Sequence, residues 1–202
     1  KNKEAWTQAK KAYEIYLKTF PDENDTPEVK YRLAVLLMNR KEPQNAYRFV
    51  SEAIAKIDSK HPKFKDALSL RLQAIELTPK DERSKIPEQD VLVAYDAYAT
   101  NFPNEDLGVE AAFKAAMAAK SLEPPEKVAV RFRILAETHP QHHLAKSAVD
   151  EALAVLVKAQ KWETLGQESR ALSGKSEIQE NLLAKDESLR KRIEEARELA
   201  NV

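Results

Sequence analysis

The sequence has no cysteine, only three glycines and no net charge. Without cysteine the chain forms no disulfide bond and has no thiolate nucleophile, and either redox compartment would suit it. Because 33 basic side chains balance 33 acidic ones, no positive excess favours a nucleic acid as the partner. No apolar run approaches the roughly 18 residues of a membrane span. What is left is a charge-rich chain whose ten prolines suit helices with sharp stops.

A ten-residue segment occurs twice, as AYEIYLKTFP at Ala12 to Pro21 and as AYDAYATNFP at Ala94 to Pro103. Weaker relatives end at His61-Pro62 and at His139-Pro140, so the four prolines are 41, 41 and 37 residues apart. Units of this length, each closed by an aromatic or histidine residue and proline, indicate an array of helical repeats.

Apolar residues recur at three- and four-residue steps along most of the chain, which predicts ten helices. Their expected ranges are 3–20, 28–40, 43–60, 64–77, 88–102, 107–120, 124–138, 143–160, 162–172 and 177–199. The polar segment Thr78 to Pro87 interrupts the series and is expected to be exposed. The last helix is rich in charge and is expected to cap one end of the array.

The apolar stripes of the first and fourth helices are each predicted to face a core. The first helix is expected to bury Ala5, Ala9, Tyr13, Tyr16 and Phe20. The fourth helix is expected to bury Ala67, Leu70, Ala74 and Leu77.

Several of these stripes resemble the tetratricopeptide repeat, whose pattern is W-x2-L-G-x2-Y, then A-x3-F, then P, in 34 residues. The residues that carry the resemblance are Ala9, Tyr13 and Pro21; Leu33-Ala34, Leu37, Ala46 and Val50; Ala112, Ala115-Ala116, Ala119, Phe132 and Pro140; and Val149, Ala152-Leu153 and Leu156. No unit has the complete Trp-Leu-Gly set. The resemblance implies an all-α, right-handed α-solenoid of antiparallel helix pairs. About four and a half units would fill residues 1–176, and a capping helix would fill residues 177–202.

The two copies of the A-x3-Y-x2-Y-x3-F-P ending also resemble tetratricopeptide proteins of the bacterial cell envelope, namely outer-membrane assembly lipoproteins and periplasmic division coordinators. This resemblance implies a periplasmic setting, and a cytoplasmic one stays open. The first helix matches the second helix of a unit. We therefore expect the sequence to start inside a longer array, or another chain to cover that face in a homo-oligomer.

No motif in the sequence favours catalysis or a cofactor. It has no nucleophile elbow, metalloprotease helix or phosphate loop, and the segment Ser173 to Ser176 indicates only a helix junction. His139, His142 and His143 could supply imidazoles to a metal, but no carboxylate or cysteine completes a ligand set in the same turn. The sequence therefore predicts a protein without enzymatic activity, cofactor or metal.

The tetratricopeptide resemblance implies that the first helix of each unit lines a concave groove. The groove positions that it implies are Glu28, Tyr31, Val35, Met38 and Asn39; Glu110, Phe113, Met117, Lys120 and Ser121; and Ser147, Asp150, Ala154, Val157 and Lys158. In the unit that fits worst they are Leu68, Arg71 and Ile75. Tyr31 and Phe113 occupy equivalent positions 82 residues apart and are the expected binding hot spots.

The function that these observations favour is a non-catalytic scaffold that binds a peptide or protein partner in the groove, as part of a bacterial envelope complex. Two alternatives stay open. The chain could be a helical accessory domain of a larger enzyme, or a self-assembly module that pairs through its first helix.

Overall fold

The fold is given by a computed structural model that describes residues 2–175 and 178–201, the side chains of Asn2 and Lys3 excepted. The described residues form helices α1 (Asn2–Thr19), α2 (Thr26–Asn39), α3 (Pro43–Ile54), α4 (Phe64–Leu77), α5 (Lys80–Arg83), α6 (Glu88–Asn101), α7 (Asp106–Ala119), α8 (Pro125–Thr138), α9 (Ala145–Lys158), α10 (Trp162–Gly174), a π-helical turn (Gln179–Leu183) and α11 (Glu187–Leu199). These residues include no β-strand, which confirms the all-α prediction. None of their helices has both the length and the apolar character required to cross a bilayer.

Helices that are adjacent in the sequence pack against each other within two compact units, which divide between Ala94 and Tyr95 inside α6. In the N-terminal unit, α2 packs on α1, α3 and α4. In the C-terminal unit, α8 packs on α7, α9 and α10, and α11 packs on α10 and α9. The predicted domain boundary between Ser176 and Glu177 lies outside the described residues.

One hydrophobic cluster of the N-terminal unit comes from three helices, and its side chains are Leu33, Ala34 and Leu37 of α2, Ala46 and Val50 of α3, and Ala67 and Ala74 of α4. These residues follow the predicted periodicity of α2 and α3. Tyr13 and Leu17 of α1 pack against this core and stay partly exposed.

The predicted inner stripe of α1 is wrong at its ends. Ala5 and Phe20 are exposed, and Ile15 presents 56% of its surface to solvent. The physical reason is that α1 packs on α2, and one neighbour covers only a narrow strip of a helix.

The predicted stripe of α4 is also wrong in part, because Leu77 is exposed whereas Leu68, Arg71 and Ile75 are buried. This helix packs on both α3 and α2, so its buried face is broader than one stripe. The three residues that the resemblance had implied for a groove therefore belong to the interior.

The segment Thr78 to Pro87 is less exposed than the sequence predicts. Thr78 and Ile86 are buried, and the Thr78 hydroxyl donates to the carbonyl oxygen of Ala74 (2.7 Å). Between them lies the short helix α5, whose Arg83 Nη1 donates to the carbonyl oxygen of Ile75 (2.8 Å). Contacts with the end of α4 thus hold this segment in place.

The predicted helix at 177–199 is broken. After the π-helical turn, Asp186 starts a separate helix by accepting the N–H of Leu189 (2.9 Å), which is an ordinary N-cap. Leu189, Ile193 and Ala196 are buried on α11, so this charged helix has a narrow apolar face. The largest difference at another predicted end is in α3, which stops at Ile54 although the predicted helix runs to residue 60. The remaining ends of the other predicted helices differ by one or two residues or agree.

A small, buried residue recurs near the start of four helices. It comes six residues after the aromatic or histidine residue that precedes each repeat proline, and the four residues are Thr26, Ala67, Gly108 and Ala145. At the first of these four positions, the Thr26 hydroxyl donates to the carbonyl oxygen of Phe20 (2.7 Å). At the equivalent place 82 residues later, a methyl group on Gly108 would lie 1.8 Å from the carbonyl oxygen of Phe102. The chain therefore passes very close to the preceding helix end at this position.

The substitution Gly108→Ala tests this constraint. Because the added methyl group meets backbone rather than a movable side chain, we expect the free energy of unfolding to fall by about 2 kcal/mol or more. Gly174→Ala is the matched control, since among the described residues, apart from its chain neighbours and its own helix backbone, no atom lies within 4 Å of a methyl group there. Urea unfolding followed by circular dichroism measures both. Equal stability of the two variants would mean that the helix start has room to move.

Candidate docking surface

The predicted groove residues of α2 lie at the edge of the N-terminal core. Tyr31 and Met38 are partly exposed and pack against that core, and Val35 is partly buried. Glu28 accepts from Arg32 one turn later, and Asn39 is exposed at the helix end. Burial raises the pKa of the Tyr31 hydroxyl, and the nearby Asp66 carboxylate adds to that shift. These side chains thus share one helix face, and some of them pack against the core while others are exposed to solvent.

Arg71, by contrast, is almost fully enclosed between α4 and α6. Its Nη2 donates to the carbonyl oxygen of Ala94 (3.4 Å), and its Nε finds no hydrogen-bond partner among the residues that the structure describes. Burial lowers the pKa of the Arg71 guanidinium, and the Tyr47 hydroxyl and the Asp90 carboxylate oppose that shift. The side chain is a buried structural cation that does not line an open groove.

The predicted residues of α7 differ from one another in exposure. Phe113 is partly buried with its ring edge-on to the core ring of Phe132, at 5.4 Å between ring centroids, whereas Met117 is 40% exposed. Lys120 forms an ion pair with Glu151 of α9. Glu110 is partly buried and Ser121 is exposed.

Phe113→Ala tests whether that ring is a packing residue. Loss of its contact with Phe132 should lower the free energy of unfolding by about 2 kcal/mol, because truncation leaves a partly buried void. Met117→Ala lies one helical turn away and should cost less than about 1 kcal/mol, since its side chain is largely solvated. Thermal unfolding of the two variants side by side decides the matter. A loss for Phe113→Ala as small as the one expected for Met117→Ala would contradict the packing role of Phe113.

Two grooves meet along α9. The first, here called the α9–α11 groove, has a volume of about 650 Å³. Its lining residues are Asp150, Leu153, Ala154, Val157 and Lys158 of α9 and Arg192, Glu195, Ala196 and Leu199 of α11. The second, the α8–α9 groove, has a volume of about 350 Å³ and is lined by Lys120, Pro125, Glu151, Ala154, Val155, Lys158 and Ala159. Ala154 and Lys158 line both, so the two grooves share one wall.

The α9–α11 groove has an apolar floor and charged edges. Asp150 accepts from Arg192 Nε (2.8 Å) and Nη2 (3.0 Å), and this bidentate pair joins the two helices at one edge. Leu199 at the end of α11 leaves 49% of its surface exposed. Such a surface can take apolar side chains while its charges orient the segment that carries them.

Five of the residues that the sequence predicts for a groove also line these two grooves: Lys120, Asp150, Ala154, Val157 and Lys158. That they bind a partner stays a prediction. The contribution of α11 was missed, because that helix was predicted only as a cap. The spacing of Arg192, Ala196 and Leu199 at four- and three-residue steps could have shown that they share one helix face. The predicted residues of α2 are not part of these grooves, and neither are Glu110, Phe113 and Met117.

Arg131 of α8 fixes the segment that leads into the α8–α9 groove. Its Nε and Nη2 donate to the two carboxylate oxygens of Glu123 (2.9 and 2.7 Å), and its Nη1 donates to Asp96 of α6 (2.9 Å). These bonds are made to the charged carboxylate, so Arg131 lowers the pKa of Glu123. The pair therefore positions the segment before Pro125, which is part of the groove wall.

The pH dependence of this pair follows from the lowered pKa of Glu123. A depressed pKa means that the stabilisation is fully present above the unfolded-state pKa of about 4.3 and is lost as the pH falls through the folded-state pKa. Glu123→Gln should thus lower the free energy of unfolding by about 1 kcal/mol near neutral pH and by much less at about pH 3. Urea unfolding of both chains across this pH range measures the difference. A gap that stays constant with pH would contradict the role of the carboxylate charge.

No known protein-family profile matches the chain, and no curated protein matches its sequence.

Proposed function

We propose that the protein is a non-catalytic scaffold that binds a protein or peptide partner, built as a right-handed solenoid of tetratricopeptide-type helix pairs. Three features support this proposal. The sequence repeats at about 40 residues, neighbouring helices pack in each unit, and the same small position recurs at four helix starts. Stacked helix pairs of this kind present extended surfaces suited to binding other chains.

The observation that carries the proposal is the α9–α11 groove with its neighbour, the α8–α9 groove. Leu153, Ala154, Val157, Ala196 and Leu199 give the larger groove an apolar floor about the size of a peptide subsite. Burying two or three apolar side chains there would contribute most of the affinity, because each is worth about 1.5–3 kcal/mol on full burial. The ligand class is therefore a segment with closely spaced apolar residues, either helical or extended.

Lys158 gives this surface a preference in charge. It lies at the shared wall of both grooves, where a carboxylate on the partner could pair with it. The Asp150 and Arg192 charges already satisfy each other. We therefore propose that the preferred segment has apolar residues flanked by an acidic one.

The setting proposed for this scaffold is the periplasm of a Gram-negative bacterium, within an envelope complex. This part of the proposal rests on the resemblance of the two A-x3-Y-x2-Y-x3-F-P segments to envelope tetratricopeptide proteins.

A displayed library of random peptides tests the proposal directly, because selection from it does not require the natural partner. We expect selection on the intact chain to enrich peptides with two or three apolar residues within one or two helical turns. Leu199→Glu should weaken their binding by about 30-fold, since burial of one aliphatic side chain is worth about 2 kcal/mol. Ile134→Glu is the matched control, because both side chains are 49% exposed in the same unit but Ile134 lies outside the grooves.

Binding that survives Leu199→Glu, in a variant with unchanged helix content, would contradict the groove as the docking surface. Sedimentation velocity of the free chain is the companion measurement. A dimer that Ile15→Glu dissociates would instead favour the self-assembly function, because Ile15 is the most exposed large apolar residue of α1.

A further inference from the structure

Three metal-binding side chains meet at one end of the C-terminal unit. Asp106 is the first residue of α7, and His142 and His143 lie in the turn between α8 and α9. Their ligand atoms all lie within 4.8 Å of one another. Among the described residues this is the one group of three or more His, Cys, Asp or Glu side chains with such spacing.

The fold brings these residues together although the sequence separates them. The backbone N–H of His142 donates to the carbonyl oxygen of His139 (3.0 Å), and the Ala145 N–H donates to the His142 carbonyl oxygen (2.9 Å). This closed turn holds the His142 ring against the start of α7, where its Nε2 lies 2.9 Å from Asp106 Oδ1. The His143 ring lies beside that of His142, at 4.3 Å between centroids. The carboxylate that the histidine run lacks locally is thus supplied from 36 residues upstream.

We propose that Asp106, His142 and His143 bind a divalent transition-metal ion of the zinc class. Imidazole nitrogen and carboxylate oxygen are zinc donors, and three protein ligands leave a fourth position for water. A tetrahedral zinc ion holds its donors about 3.3 Å apart, so the Asp106–His142 pair would open by a few tenths of an ångström and His143 would move inward. Asp106 and His143 are exposed, so both have room to make this adjustment.

Metal binding must change which ring nitrogen of His142 carries the proton. Its Nδ1 accepts the backbone N–H of Leu144 (3.2 Å), so the hydrogen-bond network places the ring proton on Nε2, which donates it to Asp106. A metal at Nε2 displaces that proton, which moves to Nδ1. The hydrogen bond from Leu144 is then lost and its amide turns to water. The tautomer of His142 and the Leu144 amide therefore report directly on the site.

His61 provides a matched comparison. Its Nδ1 accepts the N–H of Lys63 (3.1 Å), the same ring-to-amide contact across two residues that His142 makes. His61 belongs to no such ligand group among the described residues. The turn itself therefore needs neither a second imidazole nor a carboxylate, and what distinguishes His142 is the pair of donors beside it.

The experiment titrates the untagged full chain with Zn²⁺, using calorimetry and nitrogen-15 NMR of the imidazole rings, with Mg²⁺ as the hard-cation comparison. We expect one saturable Zn²⁺ per chain, no comparable Mg²⁺ binding, and a shift of the His142 proton from Nε2 to Nδ1 on saturation. His143→Ala and Asp106→Asn should each weaken binding by about 10-fold or more. His61→Ala should leave the affinity unchanged.

Absence of saturable Zn²⁺ binding would overturn the proposal. So would full affinity in both the His143→Ala and Asp106→Asn chains, because the ion would then be bound elsewhere. An equal loss in His61→Ala would have the same meaning. Both site variants change exposed side chains, and circular dichroism of each confirms that the helices are retained.

Discussion

The close passage of the chain at the starts of α2 and α7 limits how these two helices can pack. Gly108 leaves no room for a methyl group against the Phe102 carbonyl, and Thr26 turns the equivalent contact into a hydrogen bond. Ala67 and Ala145 fill the same position with one buried carbon. At Gly108 a methyl group would push the start of α7 away from the Phe102 carbonyl. Because side chains at a contact influence the distance between packed helices, the absence of a side chain here lets α7 start close to the end of α6.

The number of neighbours then decides which side of a helix is buried. With α2 and α3 packed against it and Arg71 bonded to the Ala94 carbonyl oxygen of α6, α4 buries Leu68, Arg71 and Ile75, which a single stripe would have left outside. On α1, which packs mainly on α2, Ile15 and Phe20 stay exposed, and polar contacts also hold the helix in place. In these contacts the Arg40 guanidinium lies 4.7 Å from the Trp6 ring centroid, and Lys10 pairs with Glu42. Both helices follow the same periodicity, so the difference arises from tertiary packing.

This explains how much of the fold could be predicted from the sequence. The helical class, most helix ranges and the stripes of α2 and α3 follow from apolar spacing and proline stops, which are local signals. The break before α11 also had a local signal, since Asp186 is a good N-cap residue. The charge-rich pattern on both sides of Asp186 nevertheless led to the prediction of one continuous helix. The register of α4 had no local signal, because it depends on a second neighbour. The burial of Ile86 likewise depends on contacts made after the chain folds.

The candidate docking surface was likewise predictable from the sequence only in part. The tetratricopeptide resemblance implied Asp150 and Lys158 from their register on one helix, whereas Leu199 joins them only because α11 folds back onto α9. Asp106 was missed beside the histidines for the same reason, since 36 residues separate it from His142.

The two proposed sites lie toward opposite ends of α9, and this separation makes them independent in an experiment. His142 and His143 precede the first turn of the helix, whereas the grooves are lined by Asp150 to Lys158. At 1.5 Å per residue, Ala154 near the centre of the groove lies about 14 Å along α9 from Ala145, the first helical residue after the metal ligands. An ion at the turn would therefore stabilise the start of α9 against α7 without entering the groove. Leu199→Glu should leave Zn²⁺ affinity unchanged, and His143→Ala should leave peptide binding unchanged. Any coupling between the two would have to pass through the rigidity of α9 itself.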